Sequence, residues 1–152
     1  MTHDYFMSLA LKEAKKAEKK GEVPIGCVIV HGGRIIGKGH NLRETKNDPT
    51  LHAEIIALKK ASKTLGSWRL SGTTVYVTIE PCIMCMGALI LARVKRIVFG
   101  CYDKKGGACG SLYDISQDKR LNHRIEVVSG VMDKECMNII QGFFSGLRRK
   151  RR

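Results

Sequence analysis

The sequence predicts an α/β fold, a three-layer α/β/α sandwich around a mixed sheet of about five strands. Three observations lead there. Short β-branched runs alternate with stretches of helical period. The first two strands are joined by a glycine turn that only an antiparallel hairpin can use, so the sheet is not wholly parallel. The chain, at 152 residues, suits one domain with a substantial core and no disulfide staples, and no second domain is expected in 1–152.

Tyr5, Phe6, Leu9, Ala10, Ala14 and Ala17 recur at helical spacing, so 4–20 is an amphipathic helix that Gly21 ends. A loop, 21–26, leads into a buried strand at 27–30. His31-Gly32-Gly33-Arg34 reads as the hairpin turn, with His31 facing solvent, and 35–40 as the return strand. A polar connection follows at 41–50. Ile55, Ile56, Leu58, Ala61 and Leu65 give 51–65 a helical period, with His52 and Glu54 in its first turn. Residues 73–79 read as a central strand, and Pro81 ends it and opens a helix reaching about Ala92. A strand at 95–101, a glycine-rich loop at 102–114, a short strand at 125–129 and a last helix at 133–149 complete the pattern.

The formal charge is +13, from 27 Lys and Arg against 14 Asp and Glu, which is high for a protein acting on a small neutral metabolite and implies a polyanionic partner. Lys12, Lys15, Lys16, Lys19 and Lys20 alternate with Glu13, Glu18 and Glu22 and read as a solvated helix face. The run Arg148-Arg149-Lys150-Arg151-Arg152 in the basic end, 147–152, is different: a helix dipole cannot account for cations beyond its last turn, so contact with RNA phosphates is expected. No stretch is long and apolar enough to cross a bilayer and 1–20 lacks an apolar signal region, so a cytoplasmic location is expected. In that reducing setting Cys27, Cys101, Cys109 and Cys136 are expected as buried or loop thiols.

His52-Ala53-Glu54 and, about thirty residues later, Pro81-Cys82-Ile83-Met84-Cys85 carry chemistry. An imidazole and two thiolates make a nearly neutral zinc site with a fourth position left to water, whose pKa zinc lowers to about 7. Glu54, two residues past His52, can face that water without ligating and can move its proton. Each half alone is weak. A Glu in a first turn commonly just complements the helix dipole, and Cys-x-x-Cys also serves redox and structural zinc sites. Together, in this order and each at a helix start, they form the signature of zinc nucleobase deaminases.

Further segments match as well: Gly21-Glu22-Val23-Pro24-Ile25-Gly26, Gly39-His40-Asn41, Glu80 before Pro81, the loop 103–111, Leu121-Asn122-His123-Arg124 and Phe143-Phe144. On these residues nearly the whole chain resembles the cytidine deaminase-like superfamily, and within it is similar to the bacterial tRNA-specific adenosine deaminases. The resemblance implies a homodimer that hydrolyses adenine at the wobble position of a tRNA anticodon to hypoxanthine, giving inosine. It implies one Zn2+ per chain on His52, Cys82 and Cys85, and Glu54 as proton carrier. Asn41 matches a residue that contacts the inserted base, and Asp103, Lys105, Asn122, His123 and Phe144 match positions around the RNA, with Arg148 in the basic helix end beside them. Asn41 read alone is equally an ordinary turn residue, and Phe144 on periodicity alone is a core residue. Leu51 and Cys27 depart from the commonest pattern and bear on pocket shape.

Two other readings stay open at this point. One is a deaminase of a free base or nucleoside such as guanine or cytosine, which the zinc half of the signature does not separate from an RNA enzyme. The other is a non-catalytic RNA-binding module in which Cys101 and Cys109 join Cys82 and Cys85 in a closed structural zinc site.

Overall fold

The structure is a computed structural model and describes residues 1–151; Arg152, the last cation of the basic run, lies outside the described residues. Its elements are α1 (His3–Lys19), β1 (Gly26–His31), β2 (Arg34–His40), α2 (Ala53–Leu65), β3 (Thr74–Ile79), α3 (Ile83–Leu91), β4 (Arg96–Cys101), β5 (Glu126–Val128) and α4 (Asp133–Lys150). They build one five-stranded sheet in the order β2-β1-β3-β4-β5. β1 runs antiparallel to β2 and β3, while β3, β4 and β5 are parallel. The expected mixed sheet and sandwich are therefore present.

The layers follow from strand alternation. Cys27 and Ile29, Val75 and Val77, and Ile97 and Phe99 point to one face and pack with Ala53, Ala57 and Ala61 of α2 and Met86 and Leu89 of α3. Val28, Val30, Tyr76 and Val98 point to the other, against Phe6, Met7, Ala10 and Leu11 of α1 and Cys136 of α4. Both faces are covered, so the inner strands are buried along nearly their whole length. No helix among the described residues is long and apolar enough to cross a membrane.

One close approach decides where the functional helix sits. Gly37 and Gly39 of β2 face α2, and a Cβ at Gly39 would collide with the Ala53 carbonyl and lie 2.7 Å from the Ala57 nitrogen. Ala53, Ala57 and Ala61 repeat every four residues, so α2 presents a smooth alanine ridge to this glycine floor. The first turn of α2 is thereby pressed onto the sheet. α1 ends as expected: Gly21, at φ 77°, turns the chain, and the Glu22 amide donates to the Ala17 carbonyl at 3.0 Å.

Several boundaries and placements differ from expectation. His52 and Cys82 are not inside their helices but occupy the N-cap positions of α2 and α3. The last strand is shorter than 125–129: the Ile125 amide donates to the Ser116 carbonyl, and pairing with β4 begins at Glu126. Glu13 and Glu22 do not belong to a solvated face: they are 5% and 1% exposed. Lys16 at 2.6 Å and His40 at 3.2 Å hold the Glu13 carboxylate, and backbone amides hold that of Glu22. His31 is exposed as expected, and Cys27, Cys101, Cys109 and Cys136 are buried free thiols.

Replacing Gly39 with Ala should force α2 off the sheet. Overpacking of this kind costs about 1–3 kcal/mol, a fall in Tm of roughly 2–12 °C for a chain of this size. Gly142 of α4, where an added Cβ would meet nothing within 4 Å, is the control. Gly142→Ala should leave Tm unchanged or raise it, and thermal unfolding of the two variants checks the contrast.

Candidate active site

Two helix starts meet beyond the C-terminal end of β3. At each, the N-cap residue keeps an extended backbone, with φ −76° and ψ 157° at His52 and φ −75° and ψ 176° at Cys82, and neither side chain caps its own helix. Both side chains turn toward each other instead. His52 Nδ1 lies 3.5 Å from Cys82 Sγ and 3.6 Å from Cys85 Sγ, and the ligand atoms of the three residues all fall within 4.8 Å of one another. Tetrahedral zinc with a nitrogen at about 2.05 Å and sulfurs at about 2.3 Å requires a nitrogen-to-sulfur separation of about 3.5 Å. The donor set therefore fits a tetrahedral metal ion in both chemistry and spacing.

The electrostatics of the cluster suit a cation. The Cys85 thiol donates a hydrogen bond to Cys82 and His52 lies beside it, which pulls the Cys82 pKa down to about 4. The same hydrogen bond pushes Cys85 up, and the bond to Cys82 raises His52. A metal ion bound here would displace the proton that Cys85 shares with Cys82 and take both sulfurs as thiolate ligands. The unpaired N–H groups of the first turns of α2 and α3 add partial positive charge behind the sulfurs.

Glu54, one residue into α2, is 3% exposed and its carboxyl lies against Cys85. Burial pushes its pKa up to about 7, with the Cys82 thiolate adding to the rise. A carboxyl that holds or releases a proton near neutral pH is matched to general acid–base work. Cys27, fully buried in the layer beneath, responds to the same carboxylate, which with burial raises its thiol pKa.

Two loops flank the cluster. In the first, Asn41 is 5% exposed; its Nδ2 donates to the Val23 carbonyl at 3.3 Å and its Oδ1 accepts the Arg43 amide at 3.1 Å. Glu22 holds the next turn by accepting the Glu44 and Thr45 amides, and these bonds outweigh burial and keep its pKa low. In the second loop Asp103 Oδ1 accepts the Lys105 and Gly106 amides, each at 3.2 Å.

A groove of about 880 Å³ runs from the ends of β3 and β4 to α4, lined among others by Val23, Asp103, Lys105, Phe144 and Arg148. Phe144 is 41% exposed there, edge-on to Phe143 at 5.4 Å, and is not the core residue its periodicity suggested. Arg148 is exposed, with a hydrogen bond to Ser145 Oγ at 3.3 Å. Asn122 and His123 are not brought to this groove. His123 Nε2 bonds the Val94 carbonyl at 2.7 Å, at the start of β4, and Asn122 beside it is exposed. That is the other end of a six-residue strand from the cluster, about 20 Å away at the usual rise. The closed four-cysteine arrangement is also not formed: among the described residues only His52, Cys82 and Cys85 cluster, while Cys101 Sγ bonds Thr78 and Cys109 pairs with Asp114.

Sequence reading missed Glu22 and Glu80 as determinants of loop shape. A charged residue flanked by apolar ones, as in Ile79-Glu80-Pro81, is the only local signal of such burial.

Comparison with known proteins agrees with the geometry. The family model described as MafB19-like deaminase matches residues 1–148. The tRNA-specific adenosine deaminase of Bacillus subtilis is 53% identical over 100% of this chain and 95% of its own. A solved structure from work on A-to-I editing by tRNA:A34 deaminases at the wobble position of transfer RNA superposes with a TM-score of 0.84 and 43% identity, covering 89% of this chain and 98% of that one. A guanine deaminase from Bacillus subtilis aligns over 67% of this chain and 66% of its own, with a TM-score of 0.64 and 40% identity. A family match along almost the whole length, on a cytidine deaminase-like fold, shows that the chain belongs to the tRNA-specific adenosine deaminases within the MafB19-like deaminase family.

Proposed function

We propose that the chain is a zinc-dependent hydrolase that converts adenosine to inosine at the wobble position of a tRNA anticodon, working as one catalytic domain over 1–152 and as a homodimer. The observation that carries this reading is the tetrahedral spacing of His52, Cys82 and Cys85 with the buried Glu54 carboxyl beside them. Zinc held by these three side chains supplies Lewis-acid activation of water at neutral pH. Glu54 takes a proton from the attacking water and delivers it to adenine N1, and then a second proton to the departing amine. Water and adenosine are consumed, and inosine and ammonia leave.

The groove supports an RNA substrate. Lys105, Phe144 and Arg148 line it together, so cations and an exposed ring share one path, suited to phosphates and a stacked base. Asn41 is bonded to Val23, which lines the groove, and in this reading the second hydrogen of its amide nitrogen serves the inserted base. Arg149, Lys150 and Arg151 extend the exposed basic end. A base must leave its stack to reach a buried carboxyl, which favours an unpaired anticodon loop over duplex.

Support for the homodimer comes from the α2/α3 layer. Ile83, Leu91, Leu112 and Tyr113 are more than half exposed on α3 and on the segment packed beside it. His123, bonded to Val94 just past the end of α3, and Asn122 lie beside this same layer. The free thiols suit a reducing cytoplasm.

X-ray absorption on the purified protein should report one zinc per chain with one nitrogen at about 2.0 Å and two sulfurs at about 2.3 Å; a four-sulfur shell contradicts the reading. A tRNA with adenine at the wobble position should gain inosine, while the same adenine in a perfect duplex should not. Turnover of free guanine with tRNA left intact would transfer the chain to the free-base deaminases. Glu54→Gln should retain zinc and bind tRNA while kcat falls at least about 10²–10⁴-fold, because an amide cannot accept the water's proton. Single-turnover kinetics read this directly.

A further inference from the structure

We propose that Glu80 is a positioning residue that fixes the 103–111 loop and, through it, the register of the substrate in the groove; this rests on the RNA-deaminase reading above. Glu80 is 1% exposed and takes part in none of the ion pairs among the described residues. Dipoles meet its charge instead. Oε1 accepts the Asp103 amide at 3.0 Å and the Ser111 hydroxyl at 2.6 Å, and Oε2 accepts the Cys109 amide at 2.9 Å and the Ser111 amide at 3.0 Å. Four donors saturate a carboxylate. Three of them are backbone N–H groups of one loop, so the loop must curl around this single point.

The steric evidence agrees. Gly107 lies directly on the carboxylate, and a Cβ there would overlap Glu80 Cδ and both oxygens. The wrapped loop is then stitched to the chain that bears the thiols: the Ala108 amide donates to the Pro81 carbonyl at 2.8 Å, and Gly107 forms a bridge with Cys82. Asp103 is both the first residue held by Glu80 and the acceptor for the Lys105 amide. Asp103 and Lys105 therefore enter the groove at positions that Glu80 determines. Glu80 touches no reacting atom in this scheme. Its loss should weaken the fit of RNA more than the chemistry on a bound base.

Glu80→Gln tests this, because its NH2 group would confront N–H donors where an oxygen is needed. Zinc content should stay at one per chain. Hydrogen exchange of the free protein should rise at the amides of 103–111 and remain as in the parent across α2 and α3. KM for tRNA should rise about tenfold or more, with kcat within about threefold. Ser111→Ala, which removes only the hydroxyl, should give a smaller rise in KM of the same kind, and it carries the test if the Gln variant does not fold. Parent-like loop exchange and KM would overturn the proposal, as would a fall in kcat with KM unchanged. The exchange measurement needs no substrate. If the parent leaves tRNA unmodified, the functional reading fails while the exchange result still decides whether Glu80 holds the loop.

Discussion

His52 and Cys82 are thirty residues apart in sequence, yet their ligand atoms must sit 3.5 Å from one another. The rest of the structure is arranged around that requirement. A spacing of this kind tolerates errors of only a few tenths of an ångström before a tetrahedral ion no longer fits. Side chains alone cannot supply such accuracy, so the helices that carry them must be located by rigid contacts. α2 is located by the backbone of β2 at Gly37 and Gly39, where the absence of a Cβ lets helix and strand touch. α3 is located by the end of β3, whose parallel pairing with β4 runs through Ile79 and Cys101. Because both ligand residues are N-caps, each is the first residue freed from strand or loop and the last before helix geometry takes over. The side chains are consequently aimed by backbone conformation, not by packing of long rotamers.

Three buried carboxyls near the site show how environment sets role. Glu54 lies by a thiolate with burial dominating, so its pKa rises to about 7 and it can exchange a proton. Glu22 accepts two backbone amides, and these bonds override its desolvation and hold its pKa below the usual carboxylate value. Glu80 accepts donors at every lone pair and serves as the hub of a loop. A carboxyl rich in donors holds structure, and one poor in them is available for chemistry. Both loops flanking the cluster are tied to buried carboxyl groups at their base.

Much of this was legible in the sequence because it is local. Strand alternation, helical period and the Gly32-Gly33 turn are short-range patterns, and they predict the layers and the sheet composition correctly. The two motifs likewise specify which side chains assemble, since a helix start follows each of them. What was not legible depends on partners distant in sequence. Glu80 is buried because donors 23 and 31 residues later close over it, and nothing adjacent to it encodes them. Glu13 reads as one charge on a lysine-rich helix until His40 of β2 is folded against it. The far position of His123 has the same origin: the segment after Ser116 follows the α2/α3 layer away from the cluster, held by Ile125 in the core. A motif match conveys neither direction nor distance.

Chemistry and selectivity occupy separate parts of the molecule. In the proposed reading the His52, Cys82, Cys85 and Glu54 set carries the chemistry common to deaminases of different bases, which is consistent with a guanine deaminase sharing 40% identity over two thirds of the chain. Discrimination must then come from residues that never touch the metal. A formal charge of +13 does nothing for a neutral free base, whose encounter rate it leaves unchanged, but it attracts an RNA backbone over a Debye length of about 10 Å. Two of those cations, Lys105 and Arg148, line the groove from two different elements. Lys105 owes its position to a loop and Arg148 to a helix end, so the groove's width depends on how α4 sits against the sheet. Gly100 sets that distance, since a Cβ there would lie 2.7 Å from the Thr78 carbonyl and 2.8 Å from Cys136 Cβ. As with α2 on Gly39, the absence of a side chain in the sheet governs the approach of the helix that carries the functional one.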